Sequence, residues 1–227
     1  LGIYDNPSEL LSISLGSAET TLLKLTSAYC SFVNGGKLII PIMIDRIQDS
    51  AGNTIFNNEK RKCSNCKEIS PFSDHYPKIE DRFPQIFSSE TAYQMISILE
   101  GVVQRGTGKK LKNLKLDIAG KTGTTNGNTD AWFVGFTSKL AIGVYVGSDS
   151  PKPLGRYETG SKTALPIFKK FVQNAIRKDE ARPFKVADNI LMMVIDPITG
   201  RKAEFSSKTT IIEVYKKNYI ERENFIN

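Results

Sequence analysis

Histidine and cysteine are scarce in this chain. Its 227 residues hold one histidine, His75, and three cysteines, Cys30, Cys63 and Cys66. A structural zinc site takes about four ligands, and a lone Cys63-x-x-Cys66 with one histidine does not supply them. No metal and no cofactor is therefore expected. An odd cysteine count argues against a complete disulfide framework. A redox role for the pair would need a thioredoxin-like strand–helix context, which is absent. Cys63 and Cys66 are read as part of a surface loop with scope for a disulfide. No apolar run approaches the ~20 residues of a membrane helix, and no signal peptide is present. The chain opens on Leu1 rather than Met, so it is expected to be cut from something longer, and the missing targeting segment leaves location open.

Also absent is any basic helix or aromatic-interleaved basic stripe. The net charge is +7, from 31 Lys+Arg against 24 Asp+Glu, but it is spread out; the densest run is Lys60-Arg61-Lys62, with Lys67 nearby. Nucleic-acid binding is not favoured. With 40% hydrophobic residues, mixed charge and no low-complexity segment, the composition is that of a folded domain with one sizeable core.

Periodicity places three helices. The first runs from Glu19 to Phe32 and ends at Asn34-Gly35-Gly36. The second starts at an N-cap on Ser88 or Ser89, with Glu90 in its first turn. Its apolar face is Ala92, Met95, Ile96, Leu99, Val102 and Val103, and Arg105-Gly106-Thr107-Gly108 closes it. The third spans Ser161 to Arg177, with Pro166 in its first turn, where a missing N–H costs little. Strands are expected at Leu38–Ile47, with a return at Thr54–Phe56, at Leu116–Thr125 and at Ile190–Ile195. The clearest strand signal is a hairpin of 131–136 and 140–146. Residues 57–87 look irregular. The pattern predicts a mixed α/β (α+β) fold, an antiparallel sheet of about five strands with helices on both faces. The expected organisation is one domain portion over 1–184 and a small β-rich appendage over 185–227.

Chemistry is expected on the strand ending in Lys121-Thr122-Gly123-Thr124-Thr125. Lys121 supplies positive charge. The Thr122 and Thr124 side chains lie two apart, on one face of a strand, and suit an anionic group. Gly123 lets a ligand approach the backbone, and the Thr124 N–H is free to point into a cleft. These form a carboxylate-binding, oxyanion-stabilising edge. Lys-Thr-Gly alone recurs by chance in roughly a few per cent of chains this long; the hairpin after it and the Gly-rich element before it raise its weight.

In this context the sequence resembles the class A (bifunctional) penicillin-binding proteins, in which Lys-Thr-Gly is one of three motifs. The resemblance runs through five blocks in order. These are Gly16 to Gly36, Ala92 to Gly108, Ala119 to Thr125, Asp130 to Phe136, and Pro153-Leu154-Gly155 with Ala164 to Phe168. It implies a serine β-lactamase/DD-peptidase-like fold, truncated at its N-terminal side. It also implies acyl transfer from the D-Ala-D-Ala end of a peptidoglycan stem peptide, or from a β-lactam, through a serine acyl-enzyme. Lys121 would shape the electrostatics, Thr122, Gly123, Thr124 and Thr125 would bind substrate, and the Thr124 N–H would be one oxyanion donor.

The resemblance also requires a Ser-x-x-Lys and a Ser-x-Asn upstream. No Ser-x-Asn is present. The one Ser-x-x-Lys, Ser64 to Lys67, lies in a polar basic loop unable to desolvate a lysine and follows the first block instead of preceding it. Tyr4-Asp5-Asn6, beside Pro7, is read as a loop. No nucleophile is therefore expected in this chain. It is expected before Leu1, with a glycosyltransferase domain and membrane anchor further upstream, on the periplasmic side of a bacterial cytoplasmic membrane. Expected partners are stem peptides, β-lactams and the missing part of the chain, with no nucleic acid. A serine β-lactamase fragment, which slow deacylation of the full-length protein would argue against, and a non-catalytic sensor or structural module of the same fold stay open as alternatives.

Overall fold

A computed structural model describes residues 1–59, 61–66, 76–80, 83–150, 152–177, 179 and 181–218. Contacts divide the chain into two units, Leu1–Leu38 with Gln85–Asn227, and Ile39–Pro84.

Among the described residues the larger unit holds three α-helices and two sheets. Helix α1, Leu22–Val33, starts where the Thr21 side chain accepts the Lys24 N–H. It begins three residues later than the periodicity suggests, because that cap sets the first turn. Helix α2, Ser89–Gln104, is capped by Ser88, whose hydroxyl accepts from the Thr91 N–H. Helix α3, Leu165–Ala175, carries Pro166 at its start and is entered through a π-helical turn, Gly160–Ala164.

In the smaller unit two short strands, β1 (Arg46–Gln48) and β2 (Thr54–Asn57), form an antiparallel pair. The expected strand Leu38–Ile47 is thus reduced to its last two residues. Pro41 has no N–H to give a ladder, and Ile40, Ile42, Met43 and Ile44 lie exposed. Beyond Asn57 and up to Phe87 the described residues form only isolated bridges, at Cys63–Ile79 and Gln85–Lys37, as the irregular composition indicated. Cys63 and Cys66 are joined by a disulfide. Cys30 is a free, half-buried thiol whose pKa burial raises.

The central sheet has strands β3 (Ala119–Thr124), β4 (Ala131–Phe136) and β5 (Ala141–Val146), all antiparallel and in that order. It has three strands among the described residues, not the expected five. Strands β6 (Ile190–Ile195) and β7 (Ile211–Lys216) pair separately, and β7 is tied to α2 where the Gln94 Nε2 donates to the Val214 carbonyl at 3.2 Å.

Side-chain alternation along β4 decides what each face meets. Ala131 and Phe133 join Leu165, Phe168 and Val172 of α3 in one buried cluster. Phe136 points the other way, to Tyr93, Ile96 and Leu99 of α2, with Tyr29 and Phe32 of α1 at the margin. Helices therefore cover both faces, as expected. Gly120 and Gly135 face each other across β3 and β4. A Cβ on Gly135 would come within 2.8 Å of the Phe133 ring and 3.0 Å of the Phe168 ring. The glycine pair leaves room for those two rings, which stack edge-on with centroids 4.7 Å apart. This cluster lies directly beneath the strand that carries Lys121.

Candidate functional site

The segment Lys121–Thr124 lies on β3, and Thr125 is the first residue beyond it. Register pairs Lys121 with Val134, Thr122 with Phe133, Gly123 with Trp132 and Thr124 with Ala131. Thr122 and Thr124 therefore share the α3 face with Phe133 and Ala131, while Lys121 and Gly123 share the other. Lys121 and Thr124 are exposed, and Thr122 and Gly123 are half-buried.

The ladder fixes which amides are free. The Thr125 N–H donates to the Asp130 carbonyl at 3.2 Å. Antiparallel pairing alternates, so Gly123 and Lys121 also face β4. Thr122 and Thr124 turn their N–H and C=O groups outward. Among the described strands β3 has no partner on that side, so the Thr124 amide lies at an open edge. The ammonium of Lys121 reaches the same edge, donating to the outward carbonyl of Thr122 at 2.9 Å.

Both hydroxyls are met from outside the strand. The Gly160 N–H donates to Thr124 Oγ1 at 3.0 Å. Thr107 Oγ1 lies 2.9 Å from Thr122 Oγ1. Gly160 is buried because it presses on the sheet; a Cβ there would come within 2.3 Å of the Trp132 carbonyl and 2.5 Å of the Gly123 carbonyl. The Thr125 hydroxyl is engaged in the β3–β4 turn, accepting from the Asp130 N–H at 2.9 Å and lying 2.8 Å from Thr129 Oγ1. The Asp130 carboxylate accepts the Tyr145 hydroxyl at 2.9 Å, which raises the phenol's pKa.

Other candidates lie apart from this edge. Ser64 donates to the Lys78 carbonyl at 3.2 Å within the smaller unit; Lys67 and His75 fall outside the described residues. The Tyr4 hydroxyl donates to the Ala18 carbonyl, and Asp5 pairs with Lys24 at 3.1 Å, so the segment around Tyr4 is the loop it was read to be. The Arg105 side chain folds back over Gly101 of its own helix. Glu100 lies on α2, away from the Lys121 segment in sequence. It is half-buried, and burial, then the charge of Asp117, push its carboxyl up to about 7. A cavity of about 160 Å³ lies by the β4–β5 turn, lined by Leu116, Leu140, Ile176 and Arg182 among others, and does not touch the Lys121 segment. No cluster of three metal-ligating side chains occurs among the described residues.

Thr107 and Gly160 escaped sequence reasoning as site residues. Thr107 lay inside a recognised glycine-rich block, but nothing local says that its hydroxyl meets one 15 residues further on.

Comparison with known proteins gives a consistent set of relatives. Residues 3–173 match the model of the penicillin-binding protein transpeptidase domain. The chain is 40% identical over 224 residues to penicillin-binding protein 1A of Rickettsia prowazekii, covering 97% of this chain and 28% of that protein. It is 31% identical to penicillin-binding protein 1A of Pseudomonas aeruginosa, over 90% of this chain and 29% of that protein. The crystal structure of penicillin-binding protein 1A from Haemophilus influenzae superimposes with a TM-score of 0.70 at 30% identity, covering 90% of this chain and 33% of that one. The chain thus spans under a third of the length of the curated relatives it matches.

Proposed function

Because the chain belongs to the penicillin-binding protein transpeptidase family, we propose that it forms the substrate-side wall of a D,D-transpeptidase. The nucleophilic serine, its lysine and the Ser-x-Asn lie elsewhere in the longer protein. There the serine Oγ attacks the carbonyl between two D-alanines. The C–N bond breaks, the terminal D-alanine leaves as an amine with the serine's proton, and an acyl ester remains. An amino group of a neighbouring stem peptide then attacks the ester, giving a new amide and returning a proton to the serine. A β-lactam acylates the same serine by opening its ring.

The observation that carries this reading is the open edge of β3. The outward Thr124 amide suits the oxyanion that forms at each tetrahedral stage, since it needs no reorientation. The second donor is the serine's own amide, outside this chain. The Lys121 ammonium, at the same edge, raises the local positive potential for a terminal carboxylate. The hydroxyls of Thr122 and Thr124 hydrogen-bond that carboxylate, and Gly123 keeps the strand thin where the substrate runs alongside. Stem peptides and β-lactams are the ligands, and the remainder of the chain, with a glycosyltransferase domain and a membrane anchor, is the partner. The domain works on the periplasmic side of the cytoplasmic membrane. No helix among the described residues is long and apolar enough to cross a membrane.

A fluorescent penicillin tests the proposal. The full-length protein takes a covalent label and the isolated 227 residues take none. Labelling of the isolated chain refutes the placement of the serine. A full-length protein that resists label refutes the activity.

A further inference from the structure

A threonine hydroxyl has one proton to give and two lone pairs that accept. To hold a carboxylate, Thr122 and Thr124 must each give that proton to the anion. Each must therefore accept, not donate, in any other bond. For Thr124 the backbone settles the direction. The Gly160 N–H, 3.0 Å away, can only donate, so the Thr124 oxygen accepts there and its proton is free to turn to a ligand. For Thr122 the outside group is a second hydroxyl, that of Thr107, at 2.9 Å, and either proton could occupy the line between them.

The loop that presents Thr107 is held firmly. The amides on both sides of it, of Gly106 and Gly108, donate to the same carbonyl, Val102, at 3.1 and 2.9 Å. The Arg105 N–H donates to the Gly101 carbonyl at 2.9 Å. Thr107 is thus carried at the end of α2 as a fixed, exposed hydroxyl aimed at β3, and it does not depend on the smaller unit.

We propose that Thr107 is a positioning residue for the carboxylate site. It donates to Thr122 Oγ1, so that the Thr122 proton turns outward to the anion. A side chain thereby does for Thr122 what the Gly160 amide does for Thr124. The inference rests on the carboxylate-binding role given above to the two hydroxyls. With an anion in place only one order keeps both bonds, Thr107 to Thr122 to carboxylate. In the reverse order Thr122 spends its proton on Thr107 and faces the anion with lone pairs alone. Hydrogen bonds in such a chain polarise one another and strengthen. Losing the first link should therefore weaken the second without removing it.

The test uses the full-length protein that carries this segment and its serine. Acylation rates are measured with benzylpenicillin, which bears the carboxylate, and with its methyl ester, which does not. Thr107→Val removes the hydroxyl at nearly constant shape, Thr107→Ala removes it without a branched side chain, and Thr107→Ser keeps it. Thr122→Val tests the underlying reading. Thr107→Val and Thr107→Ala should slow benzylpenicillin about tenfold, the scale of one charged hydrogen bond weakened, with little change for the ester. Thr107→Ser should restore the rate. Equal slowing of acid and ester would mark a merely structural role and overturn the proposal. So would an unchanged acid rate in Thr107→Val alongside a selective loss in Thr122→Val, which leaves the carboxylate role standing. If Thr122→Val shows no preference for the acid, that role falls, and the Thr107 proposal with it.

Discussion

Glu100 offers a quantitative test of how α2 sits against the strand of Lys121. Its side chain is half-buried between α2 and the approach to β3, and its carboxyl is raised from 4.5 to about 7, mainly by burial and then by Asp117. The folded chain therefore holds this proton more tightly than the unfolded chain. Below pH 4.5 both states are protonated and Glu100 costs nothing. Between pH 4.5 and 7 the unfolded state has ionised while the folded state has not, so stability falls as pH rises. Above pH 7 the penalty is complete. At ~1.4 kcal/mol per pH unit the full span is about 3 kcal/mol, and solvent reaching a half-buried side chain cuts it to about 1–2 kcal/mol. Glu100→Gln is neutral at every pH and removes this penalty. Urea unfolding at pH 4, 6 and 8.5 should show the variant equal to the native chain at pH 4 and more stable by about 1–2 kcal/mol at pH 8.5. Asp117→Asn should recover a smaller part, since Asp117 is the lesser cause. An offset that does not change with pH, or a variant less stable at pH 8.5, would refute the reasoning.

Two packing predictions bear on the site itself. Gly160→Ala forces a Cβ against the Trp132 and Gly123 carbonyls, both fixed in the β3–β4 ladder. The π-helical turn must lift away, at a cost of about 1–3 kcal/mol, and the Gly160–Thr124 bond is lost with it. Thermal unfolding should report the destabilisation, and the full-length protein should acylate with penicillin more slowly. A native melting temperature would show that the turn is not pressed on the sheet. Phe168→Ala empties a position that is 0% exposed beneath the glycine pair. It should cost about 3–5 kcal/mol by urea midpoint, whereas a loss under 1 kcal/mol would mean that the site strand does not rest on this ring.

Local signals were enough for the elements that frame the site. A serine cap at Ser88 or Ser89, the apolar face from Ala92 to Val103 and the place of Pro166 in the first turn of α3 all follow from side chains within one or two turns, which is the range over which capping and helical periodicity operate; the structure then selects Ser88. The hairpin of β4 and β5 carries its own register, because its two strands are joined by a short turn. The parity that puts Thr122 and Thr124 on one face is a property of any extended chain, and it was legible from spacing alone. The stretch from Leu38 to Ile47 misled because isoleucine content reports how well side chains suit a sheet, not whether a neighbouring strand exists, and Pro41 interrupts any ladder there.

What the amino-acid order determined by itself was the chemistry on offer, a lysine and two hydroxyls along one strand beside a residue without a side chain. Tertiary structure alone decided where those groups are placed and what meets them. It brought Gly160 and Thr107 to the hydroxyls from 36 and 15 residues away, left one edge of β3 without a strand partner among the described residues, and half-buried Glu100 within reach of the charge of Asp117. Hydrogen-bond direction, edge exposure and desolvation are all set by what folds back from a distance, and no local pattern encodes them.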